Sequence, residues 1–183
     1  TGAAVARSAA PLFKKLSLEL GGKNPTVVFG DVDLERHLPA LVRASFINQG
    51  QICLCGSRLL VERAVYDEFR EAFVARVRAL QVGAPLAPGT QVGPVVSQAH
   101  FDKILAALER ARAEGGRVLC GGDALDRPGW YLAPTVIDGL DPTCATNREE
   151  IFGPVATLQA FDDEAQALAL ANAGDYGLSA SVW

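Results

Sequence analysis

Residues 25–62, PTVVFGDVDLERHLPALVRASFINQGQICLCGSRLLVE, decide the fold class of this chain. They open with Pro25–Phe29, an apolar and β-branched run that is typical of a buried strand. Asp33 is expected to be the N-cap of a helix that Gly50 ends, and Ser57–Glu62 is a second strand pattern. A strand, a helix and a strand in this order favour a sheet of parallel strands covered by helices. The apolar residues of the helix recur at helical spacing: Leu34, Leu38, Leu41, Val42 and Phe46.

Strand and helix patterns continue to alternate along the rest of the chain. They predict an α/β fold with a mainly parallel sheet that is flanked by helices. Further helices are expected at Tyr66–Leu80, Ser97–Glu114 and Asp162–Ala173. Further strands are expected at Leu16–Leu20, Arg117–Cys120, Tyr131–Ile137, Pro154–Phe161 and Ser179–Trp183.

The composition disfavours some classes of binding partner and indicates the cellular compartment of the protein. A net charge of -4 over 183 residues disfavours a nucleic-acid partner, which requires a basic face. No apolar run approaches the roughly 20 residues that cross a bilayer, and no signal peptide is visible. Four cysteines are too few for a disulfide scaffold, so a reducing, cytoplasmic location is expected. Because the chain lacks an initial Met and ends inside a predicted strand, we expect a piece of a longer protein.

A metal site is not expected from the cysteines and histidines. Cys53 and Cys55 form one close pair, but there is no second close pair of ligands. His37 and His100 are the only histidines, and structural zinc usually requires four ligands at short spacings.

The first segment that could carry catalytic chemistry is Phe46–Arg58, which holds Cys53 between Gly50 and Gly56. Glycines permit unusual backbone angles and close approach, so this turn can present a thiol to a cleft. Taken alone, the segment favours a buried structural cysteine, which is common in protein interiors.

Two further segments place carboxylates beside glycine turns. In Leu18–Lys23 a single acid, Glu19, precedes two glycines, and the ends of strands at such turns are frequent ligand positions. In Glu149–Val155 the second acid, Glu150, runs into an apolar segment. Taken alone, each segment favours an ordinary solvent-exposed acid.

Together the three segments resemble the aldehyde dehydrogenase superfamily, in the same order and at similar separations. That family carries L-E-L-G-G-K, F-x-N-x-G-Q-x-C and E-E-I-F-G-P-V motifs, and Tyr131–Thr135 and Asn172–Leu178 also look like family segments. The resemblance covers the entire chain. Leu16–Pro25 and Gly50–Arg58 look especially like the muconic-semialdehyde dehydrogenase branch. The resemblance implies that residues 1–18 end a cofactor-binding domain and residues 19–183 belong to the catalytic domain.

The resemblance also implies a role for individual residues. Cys53 would be the nucleophile, with Cys55 a neighbouring packing thiol, and Glu19 would activate the water that hydrolyses the thioester. Glu150 would bind the nicotinamide ribose, and Phe152 would pack near the nicotinamide. The implied cofactor is NAD, with NADP as the alternative. The implied substrate is a small-molecule aldehyde, and the intact protein is expected to be a homodimer or homotetramer.

A cofactor contact through the backbone is implied as well, because the carbonyl of Leu20 would meet the carboxamide of the nicotinamide. Branches that transfer the acyl group to coenzyme A lack the acid found here as Glu19, so the resemblance favours a free acid as product.

The sequence alone leaves three alternatives open. A thiol hydrolase would pair Cys53 with His37 or His100, although neither histidine lies in a typical catalytic motif. A non-catalytic relative would keep the fold without the chemistry, and a coenzyme A-acylating enzyme would differ in its product. We also expect the 183-residue chain alone to have no dehydrogenase activity.

Overall fold

The computed structural model describes all residues from 1 to 183 and contains six helices and six strands. The helices are α1 Gly2–Ala9, α2 Leu34–Phe46, α3 Tyr66–Arg78, α4 Gln98–Ala113, α5 Ala145–Arg148 and α6 Glu164–Ala171. The strands are β1 Pro25–Val28, β2 Arg58–Glu62, β3 Arg117–Cys120, β4 Thr135–Asp138, β5 Val155–Phe161 and β6 Ser181–Val182.

All six strands join one sheet in the order β3-β4-β5-β2-β1-β6. Only β3 runs antiparallel to its neighbour, and the other four pairings are parallel. Arg58 lies in register with Pro25 on one side and with Thr157 on the other. The predicted α/β class with a mainly parallel sheet is therefore confirmed.

Helices bury both faces of this sheet. On one face α2 and α3 form the largest apolar cluster, in which the Phe69 and Phe73 rings stack 5.4 Å apart. On the other face α4 covers one half of the sheet and α6 covers the other. Because both faces are covered, the central strands are almost continuously apolar, as parallel sheets require. The buried residues of that second face include Ile104, Leu108, Ile137, Val155, Leu60, Phe161 and Ala167.

The predicted starts at Asp33 and Ser97 agree with the observed N-caps, and α6 has its N-cap at Asp163, one residue after the predicted start. The side chains of Asp33, Ser97 and Asp163 each accept a hydrogen bond from the backbone N–H three residues later, as N-caps do. The longest helix, α4, has 16 residues. None of the helices combines the length and the apolar character that crossing a membrane demands.

Two strand predictions need correction. Leu16–Leu20 is not a strand, because every side chain from residue 11 to residue 20 is exposed and no neighbouring strand pairs with the segment. The strand predicted at Tyr131–Ile137 begins only at Thr135. Pro134, immediately before it, has no N–H to donate to a ladder of hydrogen bonds. The short helices α1 and α5 were not predicted.

The segments that precede β1, β2 and β5 meet at one edge of the sheet. These three strands are adjacent and parallel, so their amino ends lie side by side. Gly22 precedes β1, Cys53 precedes β2 and Glu150 precedes β5. The topology thus brings together motifs that lie far apart in the sequence.

Candidate active site

The loop that carries Cys53 begins with an unusual backbone. Asn48, Gln49 and Gly50 have φ values of 50°, 58° and 69°, three consecutive residues in the left-handed region. Such angles are unfavourable for residues other than glycine, and they cluster at functional sites. The turn reverses the chain after α2 and delivers Cys53 to the amino end of β2.

Gly50 also locks this loop to the segment that follows Glu150. A Cβ atom at Gly50 would overlap the carbonyl oxygen of Gly153, so no other residue fits between the two backbones. The glycine in the G-Q-x-C motif therefore has a packing reason beyond its φ angle. This contact joins the loop before β2 to the loop before β5.

Cys53 is half-buried and lines a narrow cleft together with Glu150 and Phe152. Its carbonyl accepts a hydrogen bond of 2.6 Å from the side-chain nitrogen of Asn24, which also donates to the carbonyl of Cys55 at 3.1 Å. The backbone N–H of Cys53 makes no hydrogen bond within the chain. It is therefore free to donate to a ligand beside the sulfur.

Glu150 is held at the same cleft by the glycine pair before β1. The N–H of Gly22 donates to Oε1 of Glu150 over 2.9 Å. A Cβ atom at Gly21 would overlap the Glu150 carboxylate, so the acid lies directly against this backbone. One carboxylate oxygen is thereby fixed, and Oε2 makes no hydrogen bond.

Phe152 has a φ of 61°, the left-handed region again. Its carbonyl lies 2.6 Å from Nε2 of His100, and because a carbonyl only accepts, this nitrogen carries the proton. The centres of the Phe152 and His100 rings lie 6.1 Å apart. The Glu150–Gly153 loop is thus fixed by α4 on one side and by Gly50 on the other.

Glu19 and Leu20 lie outside the lining of this cleft. Both are exposed, and the Glu19 carboxylate makes no hydrogen bond or ion pair. Glu19 precedes Gly22 by three residues, which limits their Cα separation to about 11 Å. Gly22 itself touches the site, since a Cβ there would lie 3.0 Å from the carbonyl oxygen of Cys53. The structure therefore brings Cys53, Glu150 and Phe152 together and leaves Glu19 on an exposed loop nearby.

Of the other thiols, only Cys55 lines the cleft with Cys53. Cys55 is buried, and burial raises the pKa of its thiol. His37 packs against Trp183 with the ring centres 5.5 Å apart, and neither histidine lines the cleft with Cys53. No group of three or more His, Cys, Asp or Glu side chains could hold a metal ion.

Sequence reasoning missed two residues of the G-G-K-N segment. Asn24 bridges the Cys53 loop as described, and its side-chain oxygen accepts from the N–H of Ser179. Lys23 is only 3% exposed, and burial, aided by the nearby charge of Arg58, lowers its pKa to about 7. Both residues follow Glu19 in the same stretch of sequence. The sequence gives their positions, but it does not indicate the contacts that they make in the folded chain.

The fold and the site together define an α/β protein with a thiol and a backbone-held carboxylate in one cleft. Residues 1–183 match the sequence profile of the aldehyde dehydrogenase family. The chain is 44% identical to 2-aminomuconic semialdehyde dehydrogenase of Mus musculus, covering 100% of this chain and 39% of that protein. It is also 44% identical to a betaine aldehyde dehydrogenase of Cereibacter sphaeroides, covering 100% of this chain and 38% of that protein.

A solved structure agrees with these sequence relatives. The betaine aldehyde dehydrogenase of Staphylococcus aureus, in complex with NAD+, superposes with a TM-score of 0.94 at 36% identity. The match covers 100% of this chain and 37% of that one. This chain therefore belongs to the aldehyde dehydrogenase family. It spans less than two fifths of the length of these relatives.

Proposed function

We propose that the intact protein oxidises an aldehyde to the carboxylic acid with NAD as the hydride acceptor, and that Cys53 is the nucleophile. The observation that carries this proposal is the shared cleft of Cys53, Glu150 and Phe152 in a member of this family. The free N–H of Cys53 supports it further, because an oxyanion that forms next to the sulfur requires such a donor.

In the proposed reaction the Cys53 thiolate attacks the aldehyde carbon and the carbonyl oxygen becomes an oxyanion. The N–H of Cys53 donates to that oxyanion, and each such donor is typically worth about 3 kcal/mol of the barrier. Loss of hydride from the tetrahedral thiohemiacetal leaves a thioester on the same sulfur. A water molecule then adds to the thioester, releasing the acid and restoring the thiol.

Two residues of the cleft, with Leu20 from the neighbouring exposed loop, offer groups that a nicotinamide cofactor requires. The Oε2 atom of Glu150 is available to accept a ribose hydroxyl, and the carbonyl of Leu20 makes no hydrogen bond and is available to a carboxamide. The half-buried ring of Phe152 offers an apolar wall. When bound, the cofactor supplies a two-electron acceptor for hydride. The structure of the related betaine aldehyde dehydrogenase in complex with NAD+ supports NAD as the cofactor, and NADP remains the alternative.

We assign the general base to Glu19. Its carboxylate is exposed and unpaired, as a group that must take a proton from water and return it to solvent should be. Glu19 also favours hydrolysis over transfer to coenzyme A. Only three residues separate Glu19 from Gly22, which lies against the Cys53 carbonyl, and this short separation supports the assignment.

The substrate is proposed only as an aldehyde of small size. The equal identities to 2-aminomuconic semialdehyde and betaine aldehyde dehydrogenases mean that a muconic-type semialdehyde and betaine aldehyde both belong in a substrate panel. We further propose that residues 1–18 end the cofactor-binding domain, and that the intact protein is a homo-oligomer. Four free thiols support a reducing compartment such as the cytoplasm.

The test compares the intact protein with three variants in an NADH assay on that panel. Cys53→Ser should abolish aldehyde oxidation, while the matched control Cys144→Ser, at another half-buried thiol outside the cleft, should retain it. Glu19→Gln should lower steady-state turnover by about 10²–10⁴-fold. It should still release one equivalent of NADH in the first turnover, because the thioester forms but is not hydrolysed.

Full activity of Cys53→Ser would contradict the nucleophile assignment. Loss of the first-turnover NADH in Glu19→Gln would contradict the assignment of Glu19 to hydrolysis.

A further inference from the structure

A four-residue turn of the backbone carries Cys53. The N–H of Cys55 donates to the carbonyl of Ile52 over 3.0 Å, so Cys53 and Leu54 are the two central residues of the turn. The carbonyl of Cys53 belongs to the central peptide, and no backbone N–H donates to it. Its orientation therefore depends on a partner from outside the turn.

The side chain of Asn24 is that partner. Its Nδ2 atom donates to the carbonyl of Cys53 over 2.6 Å and to the carbonyl of Cys55 over 3.1 Å. Its Oδ1 atom accepts from the N–H of Ser179 over 3.2 Å, which directs the nitrogen of the amide towards the two carbonyls. Asn24 is only 4% exposed, so its loss would leave buried carbonyls without a donor. One buried amide therefore holds both the centre and the end of the Cys53 turn.

The same amide packs against the glycine that fixes Glu150. A Cβ atom at Gly22 would lie 2.8 Å from Oδ1 of Asn24 and 3.0 Å from the carbonyl oxygen of Cys53. The absence of a side chain at Gly22 thus makes room for the amide. Because the N–H of Gly22 donates to Oε1 of Glu150, the Asn24 amide lies between the turn of the thiol and the backbone that holds the carboxylate.

We propose that Asn24 is a positioning residue for the attack of the thiol on the aldehyde. It would hold the Cys53 turn so that the free N–H of Cys53 meets the oxyanion as the sulfur adds to the carbonyl carbon. Asn24 does not line the cleft, so it acts through the Cys53 backbone rather than on the substrate. This inference rests on the proposed role of Cys53 as the nucleophile.

The expected effect follows from the geometry that an oxyanion donor requires. Such a donor must lie about 2.7–3.1 Å from the oxyanion, and a displacement of about 1 Å can cost about 10²-fold in rate. Alkylation of the sulfur by iodoacetamide requires the thiolate but forms no oxyanion. A loss of positioning should therefore slow the reaction with aldehyde far more than the reaction with iodoacetamide.

The test uses the intact protein and compares these two rates in Asn24→Ala. The rate constant of first-turnover NADH formation should fall by about 10²-fold. The aldehyde concentration that gives half of the maximal rate should change little, because Asn24 does not contact the substrate. The rate of Cys53 alkylation by iodoacetamide should stay close to that of the parent protein.

Two further variants test the donor itself. Asn24→Asp keeps the shape and the oxygen that accepts from Ser179, but its carboxylate cannot donate, so it should be impaired at least as strongly as Asn24→Ala. Asn24→Ser retains a single hydroxyl donor and is the milder variant if the other two do not fold. It should lower first-turnover NADH formation relative to alkylation in the same direction.

Asn147→Ala is the matched control. Asn147 is 1% exposed, and its Nδ2 atom donates to the carbonyl of Asp141 over 2.9 Å, outside the cleft. This variant also loses a buried amide, so urea unfolding should show a loss of stability, but its ratio of the two rates should equal that of the parent.

Two results would overturn the proposal. The first is parental NADH formation in a folded Asn24→Ala or Asn24→Asp variant. The second is an equal loss of NADH formation and of alkylation, which would show that Asn24 maintains only the thiol or the fold. Cys53→Ser is assayed alongside, and aldehyde oxidation by that variant would contradict the nucleophile assignment instead.

Discussion

Gly50 shows how a single residue can fix the geometry of the candidate site. It combines a positive φ with direct contact to the Gly153 carbonyl, so a side chain there meets two separate penalties. We expect Gly50→Ala to lower the free energy of unfolding by at least about 2 kcal/mol. In the intact protein we expect it to displace Cys53 and lower aldehyde oxidation.

A matched control separates the two penalties. Gly89 also has a positive φ, of 81°, but a Cβ there would have no atom within 4 Å. Gly89→Ala should therefore cost only the backbone strain, about 1 kcal/mol. Urea unfolding of both variants measures the difference, and equal losses would show that the Gly153 contact contributes nothing.

Lys23 makes the stability of the fold depend on pH. Its pKa falls from 10.5 to about 7 because of burial and the Arg58 charge, with Arg110 acting in the same direction and Cys144 and Glu150 opposing. Between these two pH values the unfolded chain holds a proton that the folded chain has released. Stability therefore rises with pH across that window, by up to about 1.4 kcal/mol per pH unit, and below it the contribution is constant.

The measurement compares unfolding free energies from pH 6 to 10 for the parent chain and Lys23→Met. The difference between the two curves isolates Lys23 from other titrating groups, and the parent should gain stability relative to the variant as the pH rises. Lys15→Met, at an exposed lysine, should follow the parent. A constant difference between the parent and Lys23→Met would mean that the buried amine keeps its ordinary pKa.

The residue scale also shows what motifs can and cannot predict. The thiol and Glu150 were predicted from motifs, and the structure brings them into one cleft. Asn24 and Gly153 act through contacts to the Cys53 loop that no local pattern encodes. Such contacts depend on the strand order, which brings together segments that lie 29 residues apart in the case of Asn24 and over a hundred apart in the case of Gly153.

At the scale of elements, α4 supports the site through His100. Its N-cap, Ser97, accepts from the N–H of His100 at 3.3 Å, and the His100 ring in turn binds the Phe152 carbonyl. Ser97→Ala should cost about 1 kcal/mol of stability, measured by urea unfolding. Ser8→Ala, at an exposed serine within α1, should have little effect. A loss in Ser97→Ala no larger than in Ser8→Ala would refute the cap.

Most of the elements could be predicted because their signals were strong and local. The amphipathic pattern of α3 and the β-branched run of β1 gave the correct element type, with bounds shifted by one or two residues. Leu16–Leu20 failed because alternation predicts a strand only where a partner buries one face. The four-residue helix α5 is too short to show a period. The antiparallel direction of β3 depends on its pairing with β4, which its four residues do not specify.

At the scale of the whole molecule, the chain spans 37–39% of the length of its relatives. Because the chain spans so small a share of its relatives and the cleft that contains Cys53 is narrow, we expect this chain alone to show no NADH production from aldehydes. The intact protein, assayed in parallel with the same substrates, is expected to be active. Robust turnover by the 183-residue chain would refute this expectation.

The contact between the loop before β2 and the loop before β5 has a thermodynamic consequence. Gly50 contacts Gly153, and the N–H of Gly22 donates to Glu150. These backbone contacts hold the Cys53 sulfur and the Glu150 carboxylate in a fixed arrangement. A nucleotide that shifts the equilibrium of a reversible addition to the Cys53 sulfur must, by reciprocity, bind the modified protein with an affinity changed by the same factor.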